Sequence, residues 1–318
     1  MIDGNSLTLD KIKAVAVQNA QVMLTAKASA KVKKCRDYVE KVISEGRIVY
    51  GLTTGFGKFS NVTISSNHID ELQENLIKSH AVSVGTPYSK EQVRAIMLLR
   101  ANVLAKGFSG IKLLTLQTLI DMLNSGIHPV IPRQGSVGAS GDLSPLSHLA
   151  LVLIGKGKAE YKGKIMSGKT AMQAAGLTPV RLAAKEGLAL NNGTQVMTGI
   201  GVLAWLEAFK LAQAADIIAA MTVDSLLGTP SAFDPLVHQL RPHQGQLNSA
   251  ANLYNLLKNS KLRASHKKCN NVQDAYSLRC TPQVHGAVRD ALVYARPVLD
   301  TEINSATDNP LIFPDADK

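Results

Sequence analysis

The sequence predicts a mainly α-helical protein, with an N-terminal helical lobe over residues 1–110 leading into long bundled helices over 111–318. Three observations carry this expectation. Apolar residues recur at three- and four-residue spacing along most of the 318 positions. Ala and Leu are plentiful while aromatic residues make up only 4%, a balance that favours helix. Strand signals are confined to short apolar pieces near 48–50, 151–154 and 162–166.

Taken in order, residues 8–45 read as one or two helices closed by Gly46. The apolar run Ile48-Val49-Tyr50 opens into the glycine-rich loop Gly51-Leu52-Thr53-Thr54-Gly55-Phe56-Gly57. Ile69, Leu72, Leu76 and Ile77 are spaced as on a helix that reaches His80. Ser89 with Gln92 forms a capping box for a helix whose stripe is Val93, Ile96, Met97 and Leu104. Leu113, Leu116, Ile120 and Leu123 repeat the pattern up to the stop signal Gly126. Thr194 to Leu227 is apolar on nearly every face, as in a helix buried among other helices. Two further helices are expected around 246–258 and 283–303.

Composition excludes several classes. The formal charge is +11, from 35 Lys and Arg against 24 Asp and Glu. The basic residues are scattered, however, and the densest groups (Lys31, Lys33, Lys34 and Lys267, Lys268) lack interleaved aromatics, so they read as solvated surface and no nucleic-acid partner is expected. Cys35, Cys269 and Cys280 form no disulfide framework, which fits reduced thiols in a cytoplasmic protein. Positions 1–30 show no signal-peptide pattern. The most apolar stretch, Gly199 to Leu227, is interrupted by Glu207, Lys210, Gln213, Asp216 and Asp224, so no membrane span is expected.

The site-like patterns mostly fail as well. Gly51 to Gly57-Lys58 has one residue too many for a phosphate cradle and Phe59 where a Ser or Thr would stand. Gly138-Ala139-Ser140-Gly141-Asp142 has Asp142 where a nucleophile elbow needs glycine. His266, Cys269, Cys280 and His285 lack the close cysteine pair of a structural zinc site, and His238 and His243 make no helical pair, so no metal is expected.

One run does carry chemistry: Gly135-Ser136-Val137-Gly138-Ala139-Ser140-Gly141-Asp142-Leu143-Ser144-Pro145-Leu146. Attack of the Gly141 nitrogen on the Ala139 carbonyl carbon closes a five-membered ring. Loss of two waters, one taking the Ser140 hydroxyl, leaves a methylidene-imidazolone (MIO), an electrophile made from main chain. Gly141 offers no side chain to obstruct the attack and tolerates a strained backbone. Ala139 is small and Ser140 supplies the leaving hydroxyl. This run resembles, residue for residue, the signature of the MIO-dependent ammonia-lyases and aminomutases. The resemblance implies a helical fold with an extended central bundle, a homotetramer, and no external cofactor. It extends over the whole chain. After Asn304-Ser305-Ala306-Thr307-Asp308-Asn309-Pro310 family members continue at length, so the sequence is expected to be C-terminally truncated and to cover about their first three-fifths.

Eliminating ammonia from an α-amino acid requires help for a poor leaving group and a base for a weakly acidic β-proton. Tyr50, at the mouth of the glycine-rich loop, matches the tyrosine that the family uses as catalytic acid/base. Arg279 has the guanidinium fork that suits a carboxylate, in Gln273-Asp274-Ala275-Tyr276-Ser277-Leu278-Arg279-Cys280. There Gln273, Tyr276 and Arg279 share a face if the segment is helical. Asn192, directly before Gly193, matches the family asparagine that donates to the MIO carbonyl oxygen or the substrate carboxylate. Ser79-His80 resembles the histidine branch of the family, which places His80 on the substrate imidazole. Gln273 and Tyr276 are expected to line the site. The expected reaction is conversion of L-histidine to trans-urocanate and ammonia. The alternatives are a phenylalanine or tyrosine lyase, an aminomutase, or an inactive piece lacking later site residues.

Overall fold

A computed structural model describes residues 1–49, 51–54, 69–266 and 270–318, with backbone alone at 69 and 70. The chain divides into two compact units, Met1–Leu203 with Asp300–Lys318, and Ala204–Leu299. Both are built mainly of helices, as the periodicity predicts.

The first unit opens with α1 (Leu9–Ala16) and α2 (Ala26–Ser44), whose first turns are capped by the Thr8 and Thr25 hydroxyls. α3 (Ile69–His80) leads into β1 (Val84–Pro87). α4 (Lys90–Ala105) begins at the predicted capping box: Ser89 N–H donates to Gln92 Oε1 at 3.0 Å and Gln92 N–H to Ser89 Oγ at 3.3 Å. α5 (Leu113–Ser125) ends at Gly126 in the left-handed conformation, φ +76°. β2 (Ile127–Pro129) and β3 (Pro132–Gln134) follow, then α6 (Leu143–Leu153), the hairpin β4 (Lys158–Tyr161) and β5 (Lys164–Ser167), α7 (Gly168–Ala174) and α8 (Glu186–Asn191). β1 pairs antiparallel with β3, and β2-β4-β5 form a small antiparallel sheet.

α4 packs against α1, α2 and α5, and every residue from Val93 to Ala105 is buried. Its polar members close other helices instead of facing water. Arg94 donates to the carbonyls of Val15 and Leu123, each at 3.0 Å, in the last turns of α1 and α5. The Leu123 carbonyl also accepts from the capping Gly126 N–H at 3.3 Å, and both carbonyls lie in last turns where helical partners run out, so a buried guanidinium serves where solvent cannot reach.

α9 (Gln195–Ser225) starts in the first unit and runs into the second, which also holds α10 (Pro235–Gln239), α11 (Gln244–Leu257), α12 (Lys261–Ser265), α13 (Tyr276–Arg279) and most of α14 (Thr281–Glu302). Ala220, Val223, Phe233, Leu253 and Leu257 form the apolar core of this unit. Asp216, wholly buried, ties its helices together. It accepts from Ser249 (2.8 Å) and Asn252 (3.1 Å) on α11 and pairs with His285 (2.8 Å) and Arg289 (2.6 Å) on α14. Burial alone would raise its pKa, but these partners outweigh that and hold the carboxyl below its usual range.

Three expectations need correction. Residues 151–154 are not a strand, because this continuous apolar run finishes α6 and packs as a buried helix end. Residues 48 and 49 are not in a strand, and the pieces near 162–166 belong to a hairpin that begins earlier, at Lys158. α9 is not buried all round. Ala212, Asp216, Ala220 and Val223 form its buried stripe, whereas Leu211, Ile218 and Met221 are 60–64% exposed.

Candidate active site

The Ala139-Ser140-Gly141 segment lies between β3 and α6. Residues Gly138–Ser140 form a single tight 3-10 turn, in which Ser140 N–H donates to Val137 O (2.8 Å) and Gly141 N–H to Gly138 O (3.2 Å). Ala139 and Ser140 are exposed, and Gly141 has φ +92°, a conformation that glycine adopts freely. Behind Gly141 stands Gly193: a Cβ on Gly141 would lie 3.0 Å from the Gly193 carbonyl oxygen.

Asp142 holds these two segments together. Its N–H donates to Gly193 O at 2.7 Å. Its carboxylate, fully buried, accepts from Ser136 Oγ (2.6 Å) through Oδ1 and from the Val196 and Met197 N–H groups (2.9 Å each) through Oδ2. Those two amides belong to the first turn of α9, where the helix has unpaired donors and a partial positive charge. A negative side chain therefore clamps the exposed turn onto the start of the longest helix.

Asn192 ends α8. Its carbonyl accepts from Arg100 Nη1 at 2.9 Å, and its side-chain Oδ1 accepts from the Asn309 N–H at 3.0 Å. Arg100 is wholly buried and also donates to Gln195 Oε1 (2.5 Å) and to the Ala189 carbonyl. Burial pushes its pKa down to about 10, against the opposing pull of the Asp308 and Asp142 charges, so it remains a cation at neutral pH. Gln195 passes the contact on, donating to Thr307 Oγ1 at 2.7 Å. Sequence reasoning missed Arg100. The available signal was an arginine set within the apolar run Met97-Leu98-Leu99 and Ala101, where a charge needs protein partners in place of solvent.

His80 closes α3. Its Nδ1 lies 2.9 Å from the Leu76 carbonyl, which can only accept, so Nδ1 carries the proton and Nε2 is the acceptor nitrogen of the neutral ring. The chain just beyond is fastened to α6: Val82 N–H and Ser83 Oγ meet Ser144 Oγ at 3.3 and 2.7 Å, and Ser83 N–H donates to His148 Nε2 at 3.2 Å. Gly135 backs onto Ser83 so tightly that a side chain there would collide with it. His80, Ala139, Ser140, Gly141 and Asn192 thus belong to one hydrogen-bonded framework in the first unit.

Gln273, Tyr276 and Arg279 lie in the second unit. The expected shared helical face holds only for Tyr276 and Arg279, because α13 has four residues and Gln273 precedes it. The reason lies next door: Asp274 accepts from the Thr229 N–H (2.6 Å), which holds this stretch in a non-helical path. The Arg279 guanidinium stacks on the Tyr276 ring, 3.8 Å from its centroid. Arg279 and Gln273 both line a cavity of about 340 Å³, together with Thr229, Asp274 and Gln283. The Arg279 Nε is buried there with no hydrogen-bond partner. Tyr50 lies outside the described residues, as do Gly55 to Phe59, Lys267, Lys268 and Cys269. Among the described residues, no cluster of three or more His, Cys, Asp or Glu could hold a metal, and no helix is long and apolar enough to cross a membrane.

The family model for aromatic amino acid lyases matches residues 7–318. The chain belongs to the aromatic amino acid lyase family. It is 53% identical over 317 residues to the histidine ammonia-lyase of Koribacter versatilis, covering 100% of this chain and 61% of that relative. Among solved structures, the histidine ammonia-lyase of Trypanosoma cruzi superposes with a TM-score of 0.89 at 41% identity, over 99% of this chain and 59% of that one. The phenylalanine aminomutase of Pantoea agglomerans gives 0.92 at 36% identity, over 100% and 64%. The mainly α fold is therefore the aromatic amino acid lyase fold, and the chain spans about three-fifths of the length of the curated relatives it matches.

Proposed function

We propose that the protein is a histidine ammonia-lyase, converting L-histidine to trans-urocanate and ammonia in histidine catabolism. The observation that carries this reading is the exposed Ala139-Ser140-Gly141 turn clamped by Asp142 against Gly193 and the start of α9. The 53–55% identity to histidine ammonia-lyases supports histidine as the substrate.

The residues present suit an MIO group. The turn is tight, Gly141 has the positive φ that a side chain would oppose, and the Gly193 carbonyl stands too close behind it for a side chain. Once formed from Ala139, Ser140 and Gly141, with no external cofactor, the group supplies an electrophile for the substrate amine. The remaining work falls to the chain's own side chains. Tyr50 removes the β-proton. By the family resemblance Arg279, whose fork is stacked and whose buried Nε has no partner, is a ligand for the substrate carboxylate, and Asn192 has the same role. His80 offers Nε2 to the imidazole N–H, since Leu76 holds its other nitrogen. Gln273 and Tyr276 line the site. By analogy with the family, the working protein is a cytoplasmic homotetramer.

The test is Ser140→Ala in the whole protein, assayed for urocanate release, with phenylalanine and tyrosine as competing substrates. Parent protein should weigh two waters less than its sequence, and the variant should lose both that deficit and the activity. Deamination by the variant at the parental rate would refute the reading, and turnover of phenylalanine or tyrosine in preference to histidine would redirect it.

A further inference from the structure

Residues 304–312 run across the first unit as a strap. Asn304 exchanges two hydrogen bonds with the Leu7 backbone (2.9 and 3.0 Å), Thr307 receives Gln195, and Ile312 N–H donates to Phe108 O at 2.8 Å. The strongest anchor is Asp308, which pairs with Lys185 Nζ at 3.1 Å and accepts from Ser109 Oγ at 3.0 Å. Both side chains of the ion pair are 0% exposed. Lys185 stands immediately before α8 with φ +72°, an uncommon conformation for a lysine that surrounding structure must enforce. Asn192 stands immediately after α8. Consecutive strap residues therefore grip the two ends of one short helix, Asp308 through Lys185 and Asn309 through Asn192.

The second grip has a chemical consequence. A backbone N–H can only donate, so the carboxamide atom that meets Asn309 is the oxygen, and the Asn192 NH2 is turned away from the strap. That Nδ2 has no hydrogen-bond partner among the described residues. Without the Asn309 N–H, a half-turn of the amide would exchange donor for acceptor at little cost. We infer that the Asn309 backbone N–H, anchored by the buried Lys185–Asp308 pair, is a positioning device that aims the Asn192 NH2 at the substrate carboxylate. This rests on the function proposed above.

The test measures binding in the whole protein. Calorimetry is run with trans-urocanate and with 4-vinylimidazole, which has the same ring and double bond but no carboxylate. Asp308→Asn should weaken urocanate by ~10-fold, the scale of a hydrogen bond to a charged group, and change 4-vinylimidazole by less than roughly twofold. With Asn192→Ala already present, Asp308→Asn should add less than roughly twofold, because its effect passes through that amide. Equal weakening of both ligands, or the same ~10-fold loss in the Asn192→Ala background, overturns the inference. If Asp308→Asn does not fold, Lys185→Met with Asp308→Leu removes both buried charges together and is read in the same way. Wild-type protein that binds neither ligand overturns the function itself, and with it this inference.

Discussion

Gly141 and Gly193 face each other across a gap that only glycine fills, with the Gly193 carbonyl 3.0 Å from where a Gly141 Cβ would stand and bonded to the next residue's N–H at 2.7 Å. The contact joins the turn between β3 and α6 to the link between α8 and α9. Substitution on either side therefore acts on the other.

Gly193→Ala should be damaging. Its Cβ would collide with Gln195 Oε1 and Arg100 Nη1, and Arg100 is wholly buried with both terminal nitrogens bonded, so it has no room to withdraw. We expect a loss of about 1–3 kcal/mol in urea denaturation and, by intact mass, disappearance of the two-water deficit. An unchanged midpoint and mass would contradict this.

Asp142→Asn should loosen the turn. An amide keeps one oxygen for the two α9 N–H groups but loses the charge that strengthens those bonds and the second oxygen that accepts from Ser136. The expected cost is about 1–3 kcal/mol, seen as a lower denaturation midpoint. A midpoint equal to the parent's would show that the clamp is dispensable.

Arg100→Lys tests the planar fork. One ammonium cannot reach the carbonyls of Ala189 and Asn192 and the Gln195 side chain in the same geometry. A loss of roughly 2–4 kcal/mol is expected, and a variant as stable as the parent would reduce Arg100 to a point charge.

Mild acid should destabilise the region beyond His80. Burial lowers the pKa of His148 from the ordinary 6.5, so the folded protein keeps it neutral while the unfolded chain takes up a proton. Its contribution is complete above pH 6.5 and is lost as pH falls from there toward the folded value. Protonation also removes the Nε2 acceptor used by Ser83 N–H. The melting temperature should drop between pH 7 and 5, and His148→Gln, which retains an acceptor, should flatten that slope. An equally steep slope in the variant would assign it elsewhere.

Local signals were the legible ones. Ser89 and Gln92 announce the start of α4, and Gly126 the end of α5, because a cap is written in residues that lie close together in the chain. The Ala139-Ser140-Gly141 turn was legible for the same reason. What could not be read was long-range pairing. Arg100 reaches partners 89–95 residues away and Lys185 meets Asp308 across 123 residues, and a charged residue alone reads as solvated. That Gln273 lies outside the helix was not legible, because Thr229, far upstream, claims Asp274. Periodicity likewise marked α9 as apolar all round without revealing that Leu211, Ile218 and Met221 would stand exposed in this chain.

The thirteen consecutive buried residues of α4, Val93 to Ala105, make that helix the natural gauge of the first unit. Its amides have no route to solvent short of dismantling the neighbours on every side, so in deuterium exchange they should be the last to label. The rate at which they finally do so will report the opening of the whole unit, whereas turns at its surface will report only their own breathing.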